Sequence, residues 1–428
     1  MYALKIKIIN SDMSQEYMQS LYKYLTNNYS IDHSNIIKQH TKQLDIGDLS
    51  FPIQMKSWHT FLIEDICRER LKTIEKDPQQ FVSDLISESE KWPIPIQTVT
   101  LTSDHCFLRF KRECGFKVTL KKVFEQNDKY GYDIDRSFNY AFVHSTSKLS
   151  EDSLTELRIK TAIDVCKNFL CKLGCTIKNT PDGCDLNLNI SRHVKKEEDT
   201  GHHVSCGVVS VLGAPSNNIP PKDFIEKRSL QMQLLAQHKY GIRFSSNCDA
   251  HLLCKQLGES TVKFELLQVK LSKPLTVNIE NHASCSSKGI SFILYNYARI
   301  SSMCDTFDTK VSEGIYPDLP AFEDIDCKLF CNNLEWEILY CYILRFPAVV
   351  NDCVRDIKSG YFNVHYLCNF LSGFVGVFSV YYKNVKILAS SYRHMSSLIH
   401  ARIYFIKAIE IVIKNSLVLL DIAPVKRM

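Results

Sequence analysis

Leu419-Leu420-Asp421-Ile422-Ala423-Pro424-Val425-Lys426-Arg427-Met428 closes a run that begins near Ile399, and together they decide how the second half of the chain is read. From Ile399 to Leu420, aliphatic residues surround a line of His400, Lys407 and Lys414, which predicts a helix with one solvated edge. Further back, Tyr361 to Tyr382 runs 22 residues without a charge. That is long enough to cross a bilayer. Its aromatics recur every fourth residue (Phe362, Tyr366, Phe370, Phe374, Phe378, Tyr382), but Asn363, His365, Asn369, Ser372 and Ser379 interrupt it. A lipid-facing helix tolerates so many polar groups poorly, so a buried helix of a bundle is expected, with no membrane contact. From about Gly289 onward the pattern is helical to the end, apart from an acidic loop at 305–337, so residues 286–428 are predicted to form an all-α helical bundle.

Charge is divided unevenly over this half. Between Cys304 and Glu337 nine acidic residues face two basic ones, whereas from Ile338 to Met428 eleven Lys and Arg face four Asp and Glu. The whole chain is only +5, too little to argue for nucleic acid, but the local excess of the last stretch is one a phosphate backbone can use. A merely solvated surface is the alternative. The 17 cysteines are scattered, and Met1 to Asn10 alternates apolar residues with Lys5 and Lys7, which predicts a strand rather than a leader. Free thiols in that number point to a reducing compartment such as the cytoplasm. Cys171-x-x-x-Cys175 with Cys184, and Cys327-x-x-x-Cys331, lack the second close pair that a zinc site uses, so no metal is expected.

The first 285 residues mix strands and helices. Residues 1–137 are expected to form a mixed α/β domain, with a helix after Ser14, another between Asp77-Pro78 and Trp92-Pro93, and a hairpin of Ile96 to Leu101 with His105 to Phe110. Residues 138–285 begin with a strand, Phe138 to His144, and a long helix that Ser153 and Glu156 cap and Gly174 ends. Strands follow at Asp185 to Ile190 and Val204 to Leu212, with a charged loop from Arg192 to Asp199 between them, then a helix from Pro221 to Lys239. No Gly-rich loop for ATP, NAD or S-adenosylmethionine follows any predicted strand, so no cofactor is expected.

Several of these stretches resemble the DALR anticodon-binding domain of arginyl-tRNA synthetases, in the family's order. Phe292-Ile-Leu-Tyr295-Asn-Tyr-Ala298-Arg299 resembles its opening helix, and Leu344-Arg345-Phe346-Pro347-Ala-Val-Val350 its Arg-Phe-Pro-x-Val-Val element. His365-Tyr366-Leu367, Tyr381-Tyr382 and Lys386-Ile-Leu fit the next helix; Ala401-Arg402 opens the last, which ends in the Leu-Leu-x-Ile-x-Pro-x-x-Arg-Met quoted above. The literal Asp-Ala-Leu-Arg string is absent. Ser145 through Ile177 resembles the start of a class I synthetase core, where a His-x-Gly-His signature opens the helix. Here the matching positions read Ser153-Leu154-Thr155-Glu156, before a Leu157-Arg158 that the family also has. The two imidazoles that stabilise charge on ATP phosphates and the glycine that admits the nucleotide are gone, and Glu156 adds a negative charge. The Lys-Met-Ser-Lys-Ser signature is also missing: His394-Met395-Ser396-Ser397 mimics it inside the helical domain, and Gly201-His202-His203 is expected in a loop after the wrong strand.

The fold implied is an α/β N-terminal and middle region, with a degenerate, Rossmann-like class I remnant, followed by the all-α anticodon-binding bundle. A chain with that domain kept and the ATP site erased is similar to the DALR anticodon-binding domain-containing protein family. That resemblance implies a non-catalytic adaptor that escorts arginine tRNAs to a methyltransferase making 3-methylcytidine in the anticodon loop, with no small-molecule substrate. It also implies the candidate tRNA-contacting residues: positions matching Phe292, Tyr295, Tyr382 and Met428 pack against anticodon-loop bases in the family. Phe292, Tyr295 and Arg299 lie at i, i+3 and i+7, on one helical face, where aromatic rings beside a guanidinium suit unstacked bases; core packing is the alternative for the rings. Lys386, Arg402 and Lys407 either meet phosphates or are simply solvated. A divergent arginyl-tRNA synthetase and a scaffold without RNA binding are the competing readings.

Overall fold

The computed structural model describes residues 13–27, 36–42, 44–58, 65–132, 138–146, 153–192, 201–212, 219–240, 248–279, 289–388 and 396–425. The strand expected at Met1 to Asn10, most of the loop from Arg192 to Asp199, and Met428 lie outside them. Tyr17, Leu21 and Leu25, at helical spacing, are buried on α1 (Met13–Thr26). Strands β1 (Lys38–Gln39) and β2 (Leu49–Pro52) follow, then α2 (Asp65–Lys76) and α3 (Pro78–Ser89). As expected, Asp77 caps α3, its side chain accepting from Gln80 N, with Pro78 in the first turn where its missing N–H costs nothing. Strands β3 (Ile96–Leu101) and β4 (His105–Phe110) form the expected hairpin, and the antiparallel sheet runs β1-β2-β4-β3. Helix α4 (Arg112–Gln126) completes this region.

Strand β5 (Tyr140–His144) leads to α5 (Leu154–Lys172), capped by Ser153 and ended by Gly174 at φ +83°, a left-handed position that glycine adopts freely. With β6 (Thr176–Ile177), β7 (Leu186–Ser191) and β8 (His202–Ser205) it makes a wholly parallel sheet of order β6-β5-β7-β8. Two expectations are corrected here. His202 and His203 open β8 instead of lying in a loop, because the ladder to β7 pairs Leu188 with His202 and Asn189 with His203. Val204 to Leu212 is not one strand: it breaks at Gly207, and β9 (Val209–Val211) leaves the sheet to pair in parallel with β10 (Leu275–Val277). Gly207 N donates to Leu271 O at 2.7 Å, and a Cβ there would sit 2.4 Å from the Lys273 carbonyl, so the backbone turns toward a partner far away in sequence. Between these strands lie α6 (Pro221–Tyr240) and α7 (Cys248–Leu267).

From Ile290 the chain is helical. Helix α8 (Ile290–Ser312) carries Met303, Cys304 and Phe307 into the core while Asp305 and Asp308 stay exposed, so the acidic stretch begins as helix and not as loop. Its true irregular part follows Gly314 and holds two short 3₁₀ turns before α9 (Asn333–Ile338). A π turn, Leu339–Ile343, precedes α10 (Phe346–Val354), where Pro347 has no N–H to give the preceding turn. Helix α11 (His365–Asn384) starts four residues later than the uncharged run does, after Gly360 at φ +86°; Phe374 and Phe378 are buried but Tyr366 is exposed, as a four-residue repeat drifting around a 3.6-residue helix must give. No helix among the described residues is long and apolar enough to cross a membrane. On α12 (Ser396–Leu419), Lys407 and Lys414 are part-exposed, but His400 is buried, because the helix is enclosed around most of its girth.

Contacts group the residues into two compact units, each built from separated segments. One comprises Met1–Gln126, Leu319–Ala348 and Ser390–Phe405. There the acidic segment supplies core: Phe330 stacks on Phe116 at 4.2 Å, Trp336 Nε1 donates to buried Asp48 at 2.8 Å, and Tyr340 Oη donates to the Asp48 carbonyl. The other comprises Asn127–Asp318, Val349–Ala389 and Ile406–Met428. In it Asn168 of α5 donates to the carbonyls of Val418 and Leu419, and the Leu-Leu-Asp-Ile stretch proves to be a helix stop. Asp421 is left-handed at φ +55°, its N–H bonds Val418 O and Ile422 N bonds Leu417 O, with Leu417 and Ile422 both buried.

Candidate nucleic-acid interface

Helix α8 buries Ile293, Tyr297 and Ile300 and leaves Phe292, Tyr295 and Arg299 half-buried along its flank, where α11 packs beside it. The Arg299 guanidinium lies 4.5 Å from the ring centre of Tyr295 and 4.5 Å from that of Tyr382 on α11, so both rings meet one cation. Arg299 Nη2 donates to Tyr295 Oη at 2.7 Å and Nη1 to Asn296 Oδ1 at 3.4 Å. Asn296 is fully buried and anchors itself through Nδ2 to Phe292 O at 2.9 Å, which holds its oxygen toward the guanidinium. The cluster presents a flat cation and two rings at the edge of the core, the surface on which unstacked bases lie.

The stretch at the class I signature position does different work. Ser153 Oγ accepts from Glu156 N as the α5 cap, and Thr155 Oγ1 accepts from Val209 N at 2.9 Å. Arg158 is fully buried and uses all five N–H groups on five carbonyls: Nε on Leu266, Nη1 on Gly207 and Lys273, Nη2 on Val269 and Lys270, at 2.8–3.3 Å. Burial pulls its pKa below the ordinary arginine value. Among the described residues a cavity of about 1050 Å³ lies beside this helix, lined by Glu156, Asp164, Glu226 and Glu259 together with Lys160, Lys167, Lys178, Lys222 and Lys255. The wall is therefore mixed in sign, with Glu156 adding a negative charge where the class I signature would place an imidazole.

Residues 293–428 match the family model described as DALR anticodon binding domain. The match covers the helical segment from α8 onward, about a third of the chain. Over 53% of its length the chain is similar, at 23% identity, to DALR anticodon-binding domain-containing protein 3 of Danio rerio, and over 52%, at 25%, to the Rattus norvegicus protein of that name. These matches span 41% and 42% of the relatives' own lengths. An Arginine--tRNA ligase of Borrelia turicatae is 27% identical over 44% of this chain and 29% of its own. In structure the chain is similar to Thermus thermophilus arginyl-tRNA synthetase (TM-score 0.65, 9% identity, covering 97% of this chain and 100% of that one) and to the Plasmodium falciparum synthetase (TM-score 0.65, 11%, 97% and 99%). Its fold is therefore that of an arginyl-tRNA synthetase, an α/β region followed by the helical DALR domain.

Within the DALR domain the structure brings Tyr295, Arg299 and Tyr382 together and leaves Phe292 on the same flank. Lys386 is exposed just past the end of α11. Lys407 lies 4.0 Å from Asp308. Arg402 has its Nε 3.2 Å from Glu335, whose side chain is 1% exposed, so this guanidinium is engaged in an internal ion pair. Met428 lies outside the described residues. Sequence reasoning missed Asn296; its signal was a polar residue inside the apolar repeat of Ile293, Tyr297 and Ile300. It also passed over Arg158, since a lone arginine mid-helix reads as surface and nothing local announces five distant carbonyls.

Proposed function

We propose that this chain is a non-catalytic tRNA-binding adaptor that recognises arginine tRNAs through its DALR domain and supports 3-methylcytidine formation in their anticodon loop by a partner methyltransferase. It works in the cytoplasm, and its parts are those expected from the sequence: 1–137, the synthetase-like remnant 138–285, and 286–428. The observation that carries the reading is the division of labour between two sites. Tyr295, Arg299 and Tyr382 converge on one flank of α8, whereas Ser153 and Thr155, at the position of the nucleotide-binding signature, are spent on holding the fold. Phe292 extends the base-facing surface, and Met428 contacts a base as the resemblance implies; Lys386 and Lys407 meet phosphates, whereas Arg402, expected to do so from the sequence, is engaged by Glu335.

The test is tRNA affinity of the full chain for arginine and non-arginine tRNAs, alongside melting temperature. Tyr295→Ala or Tyr382→Ala is expected to cost about 1–3 kcal/mol of binding and to narrow the preference for arginine tRNA. Tyr→Phe at these positions keeps stacking and separates it from hydroxyl readout. Selectivity unchanged in folded variants would refute base recognition here. Arginine-dependent ATP–pyrophosphate exchange by the purified chain would refute the non-catalytic reading, and failure to raise 3-methylcytidine when added to a candidate methyltransferase would refute the adaptor role.

A further inference from the structure

Among the described residues only three aromatic side chains are exposed: Tyr140, Tyr361 and Tyr366, at 44%, 46% and 45%. All three belong to one tract of the second unit. Lys178 lies 4.4 Å from the ring centre of Tyr140, and Lys270 lies 4.7 Å from that of Tyr361. Tyr366 packs on His365 at 4.4 Å, and burial, with the nearby charges of Lys270 and Lys273, lowers the pKa of His365. Lys358, three residues before Tyr361, stands 5.8 Å over the ring of Phe138, two residues before Tyr140. Lys178 and Lys358 both act on Asp185, which joins the two halves of the tract. That carboxylate accepts the N–H groups of Asn139 and Tyr140, at 2.7 and 3.0 Å, and these bonds hold its pKa below the ordinary range, so it is already satisfied by backbone. Asp356, two residues before Lys358, is drawn to Arg355 at 3.7 Å.

A singly exposed ring is ordinary on a protein surface, but among the described residues the three open ones fall in one tract and alternate with cations. Exposed rings interleaved with lysines fit a chain that carries both flat apolar faces and regularly spaced negative charge. An acidic peptide would satisfy the lysines but leave the tyrosine faces wet; an unpaired nucleic-acid strand satisfies both.

We propose that this tract is a second RNA-contacting surface, on which bases of an unpaired segment stack against Tyr140, Tyr361 and Tyr366 while phosphates meet Lys270, Lys273 and Lys358. It rests on reading the chain as an RNA binder, but it is separate from the Tyr295–Arg299–Tyr382 cluster. The cluster is half-buried on the flank of α8, whereas the tract is open and takes bases without regard to identity.

The experiment uses the full chain and two probes, an arginine tRNA transcript and a short oligouridylate. Tyr140→Ala/Tyr361→Ala/Tyr366→Ala is expected to weaken both probes at least about tenfold, since one stacked base is worth about fivefold or more. Because the three side chains are exposed, the melting temperature should hold; Lys270→Gln/Lys358→Gln gives an independent variant, expected to weaken both probes and flatten their salt dependence. Tyr295→Ala/Tyr382→Ala should weaken the arginine tRNA more than oligouridylate, whereas the triple variant weakens both alike. If wild type binds oligouridylate but not tRNA, the functional proposal fails and this one stands. If the triple variant holds both probes as tightly as wild type, this inference is overturned, as it is if the variant loses only binding to polyglutamate.

Discussion

Replacing Arg158 with methionine removes a buried cation of similar reach and leaves five carbonyl oxygens facing the space it filled. Leu266 is in the last turn of α7, and Val269 and Lys270 lie just past its end, where the helix dipole favours a positive charge; the Lys270 carbonyl also accepts from Lys273 N at 2.9 Å. The others belong to Gly207 and Lys273, the points where the chain turns into β9 and β10. A buried carbonyl left dry costs about 1–3 kcal/mol. The Lys270 carbonyl keeps its bond from Lys273 N, and if water reaches two of the other four the loss is about 2–6 kcal/mol, the range that spans the loss of one partner from a buried charge network. For a unit of this size that corresponds to a fall in melting temperature on the order of 10 °C. Arg158→Lys keeps the charge but offers three donors from one point, so it should recover part of the loss and no more. Differential scanning calorimetry of the full chain measures both, and amide exchange at 266–275 should rise in the methionine variant. A loss below about 1 kcal/mol for Arg158→Met would refute the claim that this arginine, and not the hydrophobic cluster around Val262, Leu266 and Leu275, holds α7 and the β9–β10 pair in place.

Other expectations follow from the same geometry. Gly258→Ala puts a Cβ 2.1 Å from Ser229 Oγ and 2.7 Å from its backbone, so α6 and α7 must separate at a cost of about 1–3 kcal/mol; equal midpoints in urea for variant and wild type would contradict the packing. Burial holds the Asp48 carboxyl above its ordinary 3.8 despite the bonds from Phe110 N and Trp336 Nε1, so its folded form binds the proton more tightly than its unfolded form. Its contribution to stability is therefore full in acid and declines as pH rises from about that ordinary value through the folded pKa; Asp48→Asn should remove this decline, and an unchanged pH slope in the variant would count against it. Lys386→Ala should weaken tRNA binding equally for all tRNAs and reduce the slope of log K against log salt by about 0.7–0.9, which filter binding at several salt concentrations would detect.

Much of the local structure was legible because it is encoded by neighbours in sequence. Asp77-Pro78 and Ser153 cap helices through bonds spanning three residues, and Ile96 to Phe110 forms a hairpin whose partners lie within one turn of each other. The DALR motifs were legible for the same reason: Tyr295 and Arg299 share a helix face whatever surrounds them. Where reading failed, the deciding contact was remote. Alternation alone cannot show that Val204 to Leu212 changes sheets, since the partner of its second half is at 275–277. Nor can acidity tell a loop from the exposed side of a buried helix, as at Asp305 and Asp308.

The sequence by itself determined the helical character of the last third, the caps, the absence of the class I signature and the pattern of Phe292, Tyr295 and Arg299, because each depends on spacing along one element. Only the tertiary structure decided that Tyr382 comes from a second helix to close on Arg299, that Arg402 is engaged by Glu335, that Arg158 ties five carbonyls, and that three tyrosines stand open beside lysines. Those outcomes depend on which surfaces remain after the core has closed. Burial is a property of the whole packed chain, and it settles whether a ring or a cation is spent inside or left for a partner.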